Sequence, residues 1–382
     1  MNPNSSKHPQ AADSDKKCTK ADLRSVRPRP AWSPQLHGVL VNAVAFSSNG
    51  LASASEDTGV RLWRIGPGSE HCDPIPPSFL HESSVSDVAF TSDGEYLASG
   101  SDNGTVLLWH HPLADSNPGQ RVSSLLRDAG HISSLRFSPD GSRLAVTTQS
   151  WTNYVVDIRS EPVVHELKGN SLPALLWQCK PAFTPHGTFL ISACIGGKVT
   201  IWHTDQLTNT VAKCHSEAIY AIDVSPDGSR FVSGSMDGTL YLGYIDTKGC
   251  AKSASNGTIA GHRSAVYAVE FAKQGDFFAS ASQDCTVRLW QNKTGQPIAV
   301  YTYHTDIVSS ISISFDGAII ASGSHDGSVR FWDTTTHDAI GEPMQGRMRS
   351  IVFSPDGSLL ASISHGQNLR VWCLYTGNLD TD

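Results

Sequence analysis

A repeat that runs along nearly the whole chain constrains its fold more than any other feature. Eight apolar anchors, Phe46, Phe90, Phe137, Phe183, Val224, Phe271, Ile313 and Phe353, stand 44, 47, 46, 41, 47, 42 and 40 residues apart. Four positions after each anchor comes a glycine: Gly50, Gly94, Gly141, Gly187, Gly228, Gly275, Gly317 and Gly357. Three of these turns read Ser-Pro-Asp-Gly in full, at 138–141, 225–228 and 354–357. Pro and Asp favour turn entry, and Gly supplies the positive φ that closes a tight hairpin. A short alternating strand follows each turn, then a second turn and a third strand ending in an aromatic residue. Residues 276–290 (DFFASASQDCTVRLW) and 318–332 (AIIASGSHDGSVRFW) show the pattern cleanly. In five repeats a Trp stands 19 residues after the anchor: Trp109, Trp202, Trp290, Trp332 and Trp372. Repeat one reaches Trp63 in 17, because its first hairpin is two residues shorter. Repeat three has Val156-Asp157 at this place, and repeat five has Gly243. Three strands and a linker holding a fourth make one four-stranded antiparallel sheet per repeat.

Composition agrees with many short strands joined by turns, since charged residues are only 17% of the 382 and glycines number 32. The net charge of −7 argues against general nucleic-acid binding. It is unevenly spread: residues 1–30 hold seven Lys/Arg against three Asp/Glu, which leaves 22 against 33 in the remainder. The eight cysteines include no C-x-x-C pair, so zinc and redox motifs have no support, and no cofactor is expected. No apolar run approaches the roughly 18 residues of a membrane span, and the start lacks the apolar core of a secretory leader. Reduced thiols and a cytoplasmic or nuclear location are the expectation, without a membrane or nucleic-acid partner.

The repeats resemble those of the WD-repeat family over roughly residues 33–376. The resemblance implies an all-β fold, a β-propeller of four-stranded blades, here eight, with repeats starting near 38, 82, 129, 175, 216, 263, 305 and 345. A blade alone cannot bury both faces of its sheet, so blades stack around an axis and the ring must close. In this family the N-terminal segment usually supplies the outer strand of the last blade. Residues 32–36, Trp32 to Leu36, are the expected donor, which leaves 1–30 as a disordered, slightly basic tail and 31–382 as the propeller. The inserts at 66–78 and 110–120, rich in Pro and Gly, are expected to be surface loops between blades.

Three repeats bring together Ser, His and Asp in a manner open to a hydrolase interpretation. They are His37, Ser53, Asp57 and Trp63; His262, Ser280, Asp284 and Trp290; and His304, Ser322, Asp326 and Trp332. The family resemblance implies structural hydrogen-bond tetrads instead, and repetition favours that reading because an enzyme needs only one triad. Repeat two has Asn103 in place of the Asp, and repeat five keeps His215, Ser233 and Asp237 but lacks the Trp. Repeats three, four and eight lack both His and Asp at matching positions, with His131 offset by three residues. No phosphate-binding loop is present, since Gly196-Gly197-Lys198 lacks the upstream Gly and the following Ser/Thr.

In WD-repeat propellers the narrow, central-channel face commonly binds partners, using the start of the innermost strand and the residue before the tetrad Asp. Carried over position by position, the resemblance assigns Trp177, Ile195, Tyr220, Met236 and Tyr267 to an apolar arc. Next to them lie His325, Arg347, Arg349 and His365, with Glu56 and Asp102 in blades one and two. Trp, Tyr, Met and Arg are the residue types enriched at interface hot spots. The leading expectation is a non-catalytic scaffold or adaptor, a monomeric propeller within a larger complex, holding a protein or peptide partner. Paired arginines suit an acidic or phosphorylated motif in that partner. The alternative is a substrate receptor of a ubiquitin ligase or another multi-subunit machine. Such receptors often carry a W-D-x-R box, which this chain approaches only at Asp157-Ile158-Arg159. A propeller enzyme with its site in the channel would need convergent carboxylates, for which Glu56 and Asp102 are the sole material.

Overall fold

In the computed structural model the described residues are 29–32, 37, 39–48, 50–65, 72–110, 112–113, 120–150, 152–158, 161–167, 179–194, 196–249, 251–345, 348–364 and 369–374. They form eight four-stranded antiparallel sheets arranged as an eight-bladed propeller. The local reason is the hairpin chemistry read from the sequence. In the turn at 138–141, Ser138 Oγ donates to Asp140 Oδ1 (2.5 Å), which also accepts the Ser142 N–H (3.2 Å). Gly141 takes φ 69°, a backbone conformation that other residues rarely adopt. The same turn recurs at Asp227, Asp316 and Asp356.

Alternation along each strand sends side chains to both faces, and each face packs on a neighbouring blade. Apolar clusters therefore sit between blades. One joins blades one and two around Leu62, Val88 and Trp109, and another joins blades five and six around Leu242, Phe271 and Trp290. A third joins blade eight to blade one, where Val41, Leu51 and Trp63 meet Leu359, Ile363 and Val371. Close approach needs small residues on the second strands. A Cβ on Gly100 would lie 2.5 Å from Ile132 Cγ2 of the next blade, and one on Gly234 would lie 2.6 Å from Val266 Cγ1.

The innermost strands have a free edge along the channel, whose backbone groups need partners. Side chains of the preceding blade supply them. Asp87 accepts the N–H of Leu135 (2.9 Å), Asp223 that of Phe271 (2.8 Å) and Ser310 that of Ile351 (3.1 Å). Lys180 of blade four reaches past blade three to both carboxylate oxygens of Asp87 in blade two (3.2 Å each). Burial pushes the nearby Glu270 carboxyl up to about 8, reinforced by the Asp223 charge and opposed by Lys273 and Arg136.

Ring closure differs from expectation in register. The fourth strand of blade eight is Arg29–Trp32, which pairs with Leu369–Cys373, Arg29 opposite Cys373 and Pro30 opposite Trp372. The expected donor, 32–36, overlaps it only at Trp32, and 33–36 lie outside the described residues. The three or four residues of displacement reflect the outermost position: a strand bonded along one edge has no facing partner to fix its register by pattern. The insert at 66–78 is likewise not wholly a loop. Cys72–Leu80 is the fourth strand of blade one, with Asp73 opposite Arg64 and Pro74 opposite Trp63. Its prolines, which signal a loop in sequence, are tolerated on an edge strand, where a missing N–H can face outward. In blade four the innermost strand is only Ala182–Phe183.

Two outcomes test this architecture. Removing residues 1–28 should leave the melting temperature nearly unchanged, whereas removing 1–36, which takes out the closing strand, should lower it by several degrees in calorimetry. For Glu270, the folded value near 8 lies above the unfolded value of about 4.5. Stability is therefore lost as pH rises between the two, as the unfolded chain ionises first. Glu270→Gln should raise the melting temperature little at pH 5 and progressively more up to pH 8. A gain independent of pH would contradict this account.

Candidate functional site

The mouth of the channel is built from two repeated devices. In seven blades the strand ladder slips at the second residue of the innermost strand, which leaves Asn42, Ser86, Ser133, Tyr220, Tyr267, Ser309 and Arg349 as bulged residues. A β-bulge takes a residue out of the ladder and re-aims its side chain. In six blades, the residue before the tetrad Asp position donates its N–H to the residue just ahead of that strand. These bonds are Glu56 to Leu40, Asp102 to Ser84, Gln149 to His131, Met236 to Ala218, Gln283 to Ala265 and His325 to Ile307, at 2.8–2.9 Å. The two sets of side chains expected at the narrow face thus occupy neighbouring corners, blade after blade.

Around this ring the bulged residues differ in what they leave available. Asn42 donates to Val85 O (2.9 Å), Ser86 to Asp102 (2.6 Å), Ser133 to Thr147 O (2.9 Å) and Ser309 to Met348 O (3.0 Å). Their polar groups are used within the fold. Blades five and six instead carry Tyr220 and Tyr267, stacked with ring centroids 5.3 Å apart and planes 3° from parallel. Beside them Met236 is 53% exposed, among the most exposed large apolar side chains of the described residues. Burial raises both tyrosine hydroxyls, helped by the Glu217 charge at Tyr220 and by Tyr220 at Tyr267, so both remain donors. Of the other residues assigned to this face, His325 is half-buried and Arg349 holds the blade-eight bulge position. Trp177, Ile195, Arg347, His365 and the Arg349 side chain lie outside the described residues. Sequence reasoning missed one pair: His131 Nε2 meets Asp102 Oδ1 at 2.9 Å and ties blade three to blade two. Its signal was the very offset that removed His131 from the tetrad pattern.

Below the mouth lie the tetrads. In blade six, Trp290 Nε1–H donates to Ser280 Oγ (2.8 Å), Ser280 lies 2.7 Å from His262 Nε2, and His262 Nδ1 lies 3.0 Å from Asp284. Blade seven repeats this with Trp332, Ser322, His304 and Asp326 at 2.8, 2.7 and 2.8 Å. In blade one, His37 bonds Ser53 (2.7 Å) and Asp57 (2.9 Å), with Trp63 edge-on to the imidazole. In blades six and seven one assignment satisfies every donor: indole to serine, serine to Nε2, and Nδ1–H to carboxylate. The imidazole is then neutral, in accord with burial, which lowers the values of His37, His262 and His304 against the pull of the Asp charges. Burial works to raise Asp284, yet bonds from His262, Thr286 and the Arg263 N–H hold it well below the usual carboxylate range. Ser53, Ser280 and Ser322 are each 0% exposed, so no substrate reaches these hydroxyls.

The decayed repeats have identifiable substitutes. In blade five His215 bonds Thr239 (2.8 Å), whose hydroxyl in turn donates to Asp237 (2.6 Å), and Phe231 fills the space left by Gly243. Blade three replaces the tetrad Ser and Trp with buried Val146 and Val156, which join the core between blades two and three. In blade two His81 bonds Ser99 (2.7 Å), and Trp109 donates to that serine (2.9 Å). Asn103 does not complete the set, which leaves His81 Nδ1 buried with no partner and its value lowered by burial to about 4. Among the described residues no three His, Cys, Asp or Glu side chains converge as a metal site, and no helix is long and apolar enough to cross a membrane.

The profile of the family described as "WD domain, G-beta repeat" matches eight segments: 30–64, 78–110, 120–156, 162–203, 206–242, 253–291, 295–333 and 341–373. The chain belongs to the WD-repeat family. Similar WD-repeat proteins include THO complex subunit 3 of Arabidopsis thaliana, 24% identical over 57% of this chain and 67% of that one. Protein groucho of Drosophila melanogaster is 26% identical over 50% of this chain, a match that spans 29% of its own length. The Drosophila LST8 homolog is 29% identical over 46% of this chain and 55% of its own. Among solved structures, the C-terminal WD40 domain of Sif2 superposes with a TM-score of 0.74 over 92% of this chain and 99% of that domain, at 17% identity, a likeness of fold.

For this WD-repeat propeller, Asp284→Ala or Asp326→Ala should destabilise by about 1–3 kcal/mol, the usual cost of stranding buried hydrogen-bond partners. Asn103→Asp should act in the opposite direction by giving His81 Nδ1–H an acceptor. A rise in denaturation midpoint at pH 7 would show it, whereas a fall would mean that His81 is satisfied in another way.

Proposed function

We propose that this protein is a non-catalytic WD-repeat scaffold that holds a protein or peptide partner on the narrow face of its channel. One observation carries the reading. Of the bulged mouth residues whose side chains are described, only Tyr220 and Tyr267 offer large aromatic surface, and exposed Met236 extends it. Fixed aromatic rings with a polar tip give contact area at small entropic cost, which is why such residues serve as interface anchors. The names of two relatives place those proteins in assemblies: THO complex subunit 3, and a subunit of chromatin assembly factor 1 from Gallus gallus. By analogy this propeller acts as a monomeric unit of a larger complex, in the cytoplasm or nucleus.

The partner segment lays apolar side-chain surface, such as a methylene stem, against blades four to six, with Trp177 and Ile195 as the further contacts of that arc. An acidic or phosphorylated group beside it meets Arg347 and Arg349, with His325 and His365 adjoining. Arginine forks match carboxylate and phosphate oxygens in two-point contact.

Affinity purification of the full chain tests this. Tyr220→Ala and Tyr267→Ala should each weaken partner retention by roughly thirty-fold, equivalent to about 2 kcal/mol. Arg349→Glu should weaken it further as the salt concentration falls. Should all three variants keep the full partner set while substitutions on the opposite face lose it, the binding face has been misassigned.

A further inference from the structure

The aromatic step at the mouth is bordered by carboxylates. Glu217 stands exposed in the loop that enters the blade-five innermost strand, three residues before Tyr220. The carbonyl of the next residue, Ala218, accepts both the Met236 N–H (2.8 Å) and the Ser235 hydroxyl (2.9 Å), so Glu217, Tyr220 and Met236 share one corner. Asp306 occupies the loop entering blade seven, on the far side of Tyr267, where its Oδ1 accepts the Ile307 N–H (2.7 Å). Among the described residues neither carboxylate has an ion-pair partner. Arg288 of blade six is engaged below the mouth, 3.9 Å from Asp284. Arg263 is the exposed cation of this corner, set against the two unpaired acids.

We propose that the Tyr220–Tyr267 step receives a cationic side chain of the partner, an arginine or lysine, with its stem on the rings and Met236 and its head toward Glu217 and Asp306. This rests on the reading of the narrow face given above and specifies which group of the partner fills it. The faces of phenol rings are electron-rich and attract cations, guanidinium above all, and the attraction grows as water is displaced. A long basic side chain matches both halves of the site, because its methylenes cover apolar surface while its charge stays at the rim. A purely aliphatic anchor would bury the two carboxylates against hydrocarbon, which costs free energy without a compensating charge. A phosphate or carboxylate placed here would face two unpaired acids. The anionic group assigned to blade eight therefore sits elsewhere on the ring, and the partner segment carries both signs of charge in a fixed order.

The experiment uses the full chain and capped Gly-Ser-X-Ser-Gly peptides, with X as arginine, lysine, norleucine or glutamate. Tyrosine ring resonances are followed by NMR as each peptide is raised to millimolar concentration. The arginine peptide should shift the Tyr220 and Tyr267 resonances with saturation, and the lysine peptide should do so more weakly. The norleucine and glutamate peptides should have little effect. Raising salt from about 0.05 to about 0.5 M should weaken the arginine response severalfold, since exposed charge pairs are screened over a few ångströms at the higher value. Glu217→Gln with Asp306→Asn should do the same at an unchanged melting temperature. A norleucine response equal to that of arginine would overturn the cationic assignment while leaving the face intact. If no peptide moves these resonances but Tyr220→Ala and Tyr267→Ala still release partners, the cationic assignment again falls alone. If the tyrosine variants also retain every partner, both readings fall.

Discussion

Everything in this molecule depends on the contact between one sheet and the next. Each blade is a small twisted sheet with apolar residues on both faces, and no single blade can shield both. Stacking solves this for seven of the contacts, but the eighth exists only if the chain returns to its beginning. The Val41, Leu51 and Trp63 surface of blade one and the Leu359, Ile363 and Val371 surface of blade eight meet only in a closed ring. Pairing Arg29–Trp32 with Leu369–Cys373 ties that closure into a hydrogen-bonded ladder, because one blade then holds residues from both ends of the propeller. Apolar burial at roughly 25 cal/mol per Å² supplies the driving force, and chain crossing between blades makes it cooperative.

Polar chemistry follows from the same constraint. A hairpin top placed over an apolar interface must satisfy its own donors, and the tetrads of blades six and seven do so with a one-way relay from indole to carboxylate. The relay requires a neutral imidazole, and burial supplies that condition without further aid. Along the channel the free edges of the innermost strands pose a similar demand, met by Asp87, Asp223 and Ser310 from the preceding blade. Blade three, with Val146 and Val156 in place of a tetrad, is held instead by bonds to blade two. Asp87 on one side and the His131–Asp102 pair above hold it.

The repeat is legible in sequence because turn chemistry is local: Ser-Pro-Asp-Gly specifies a hairpin wherever it stands. The complete tetrads are legible for the same reason, since His262, Ser280 and Asp284 keep their spacing in His304, Ser322 and Asp326. Outer strands are harder. Sequence points to 32–36 for the closing strand, which is found at Arg29–Trp32, and the prolines of Cys72–Leu80 suggest a loop where a strand forms. An edge strand carries little pattern, because one side of its ladder is empty and its side chains are only partly enclosed. Contacts across blades, such as Lys180 with Asp87, join residues far apart in sequence and leave no local trace. At the mouth, Tyr220, Met236 and Tyr267 can be assigned to one face by position, whereas the stacking of the two rings needs three-dimensional placement.

The bulges at the channel mouth separate architecture from recognition. Each lifts one residue out of a ladder whose remaining bonds close around it, so the sheet is nearly indifferent to the identity of that residue. Asparagine, serine, tyrosine and arginine all occupy the position within this one chain. Substitution there alters what the surface can grasp without breaking a ladder bond, although Asn42, Ser86, Ser133 and Ser309 also bond within the fold. A lineage built on such a frame can acquire new binding habits one blade at a time, without passing through unstable ancestors.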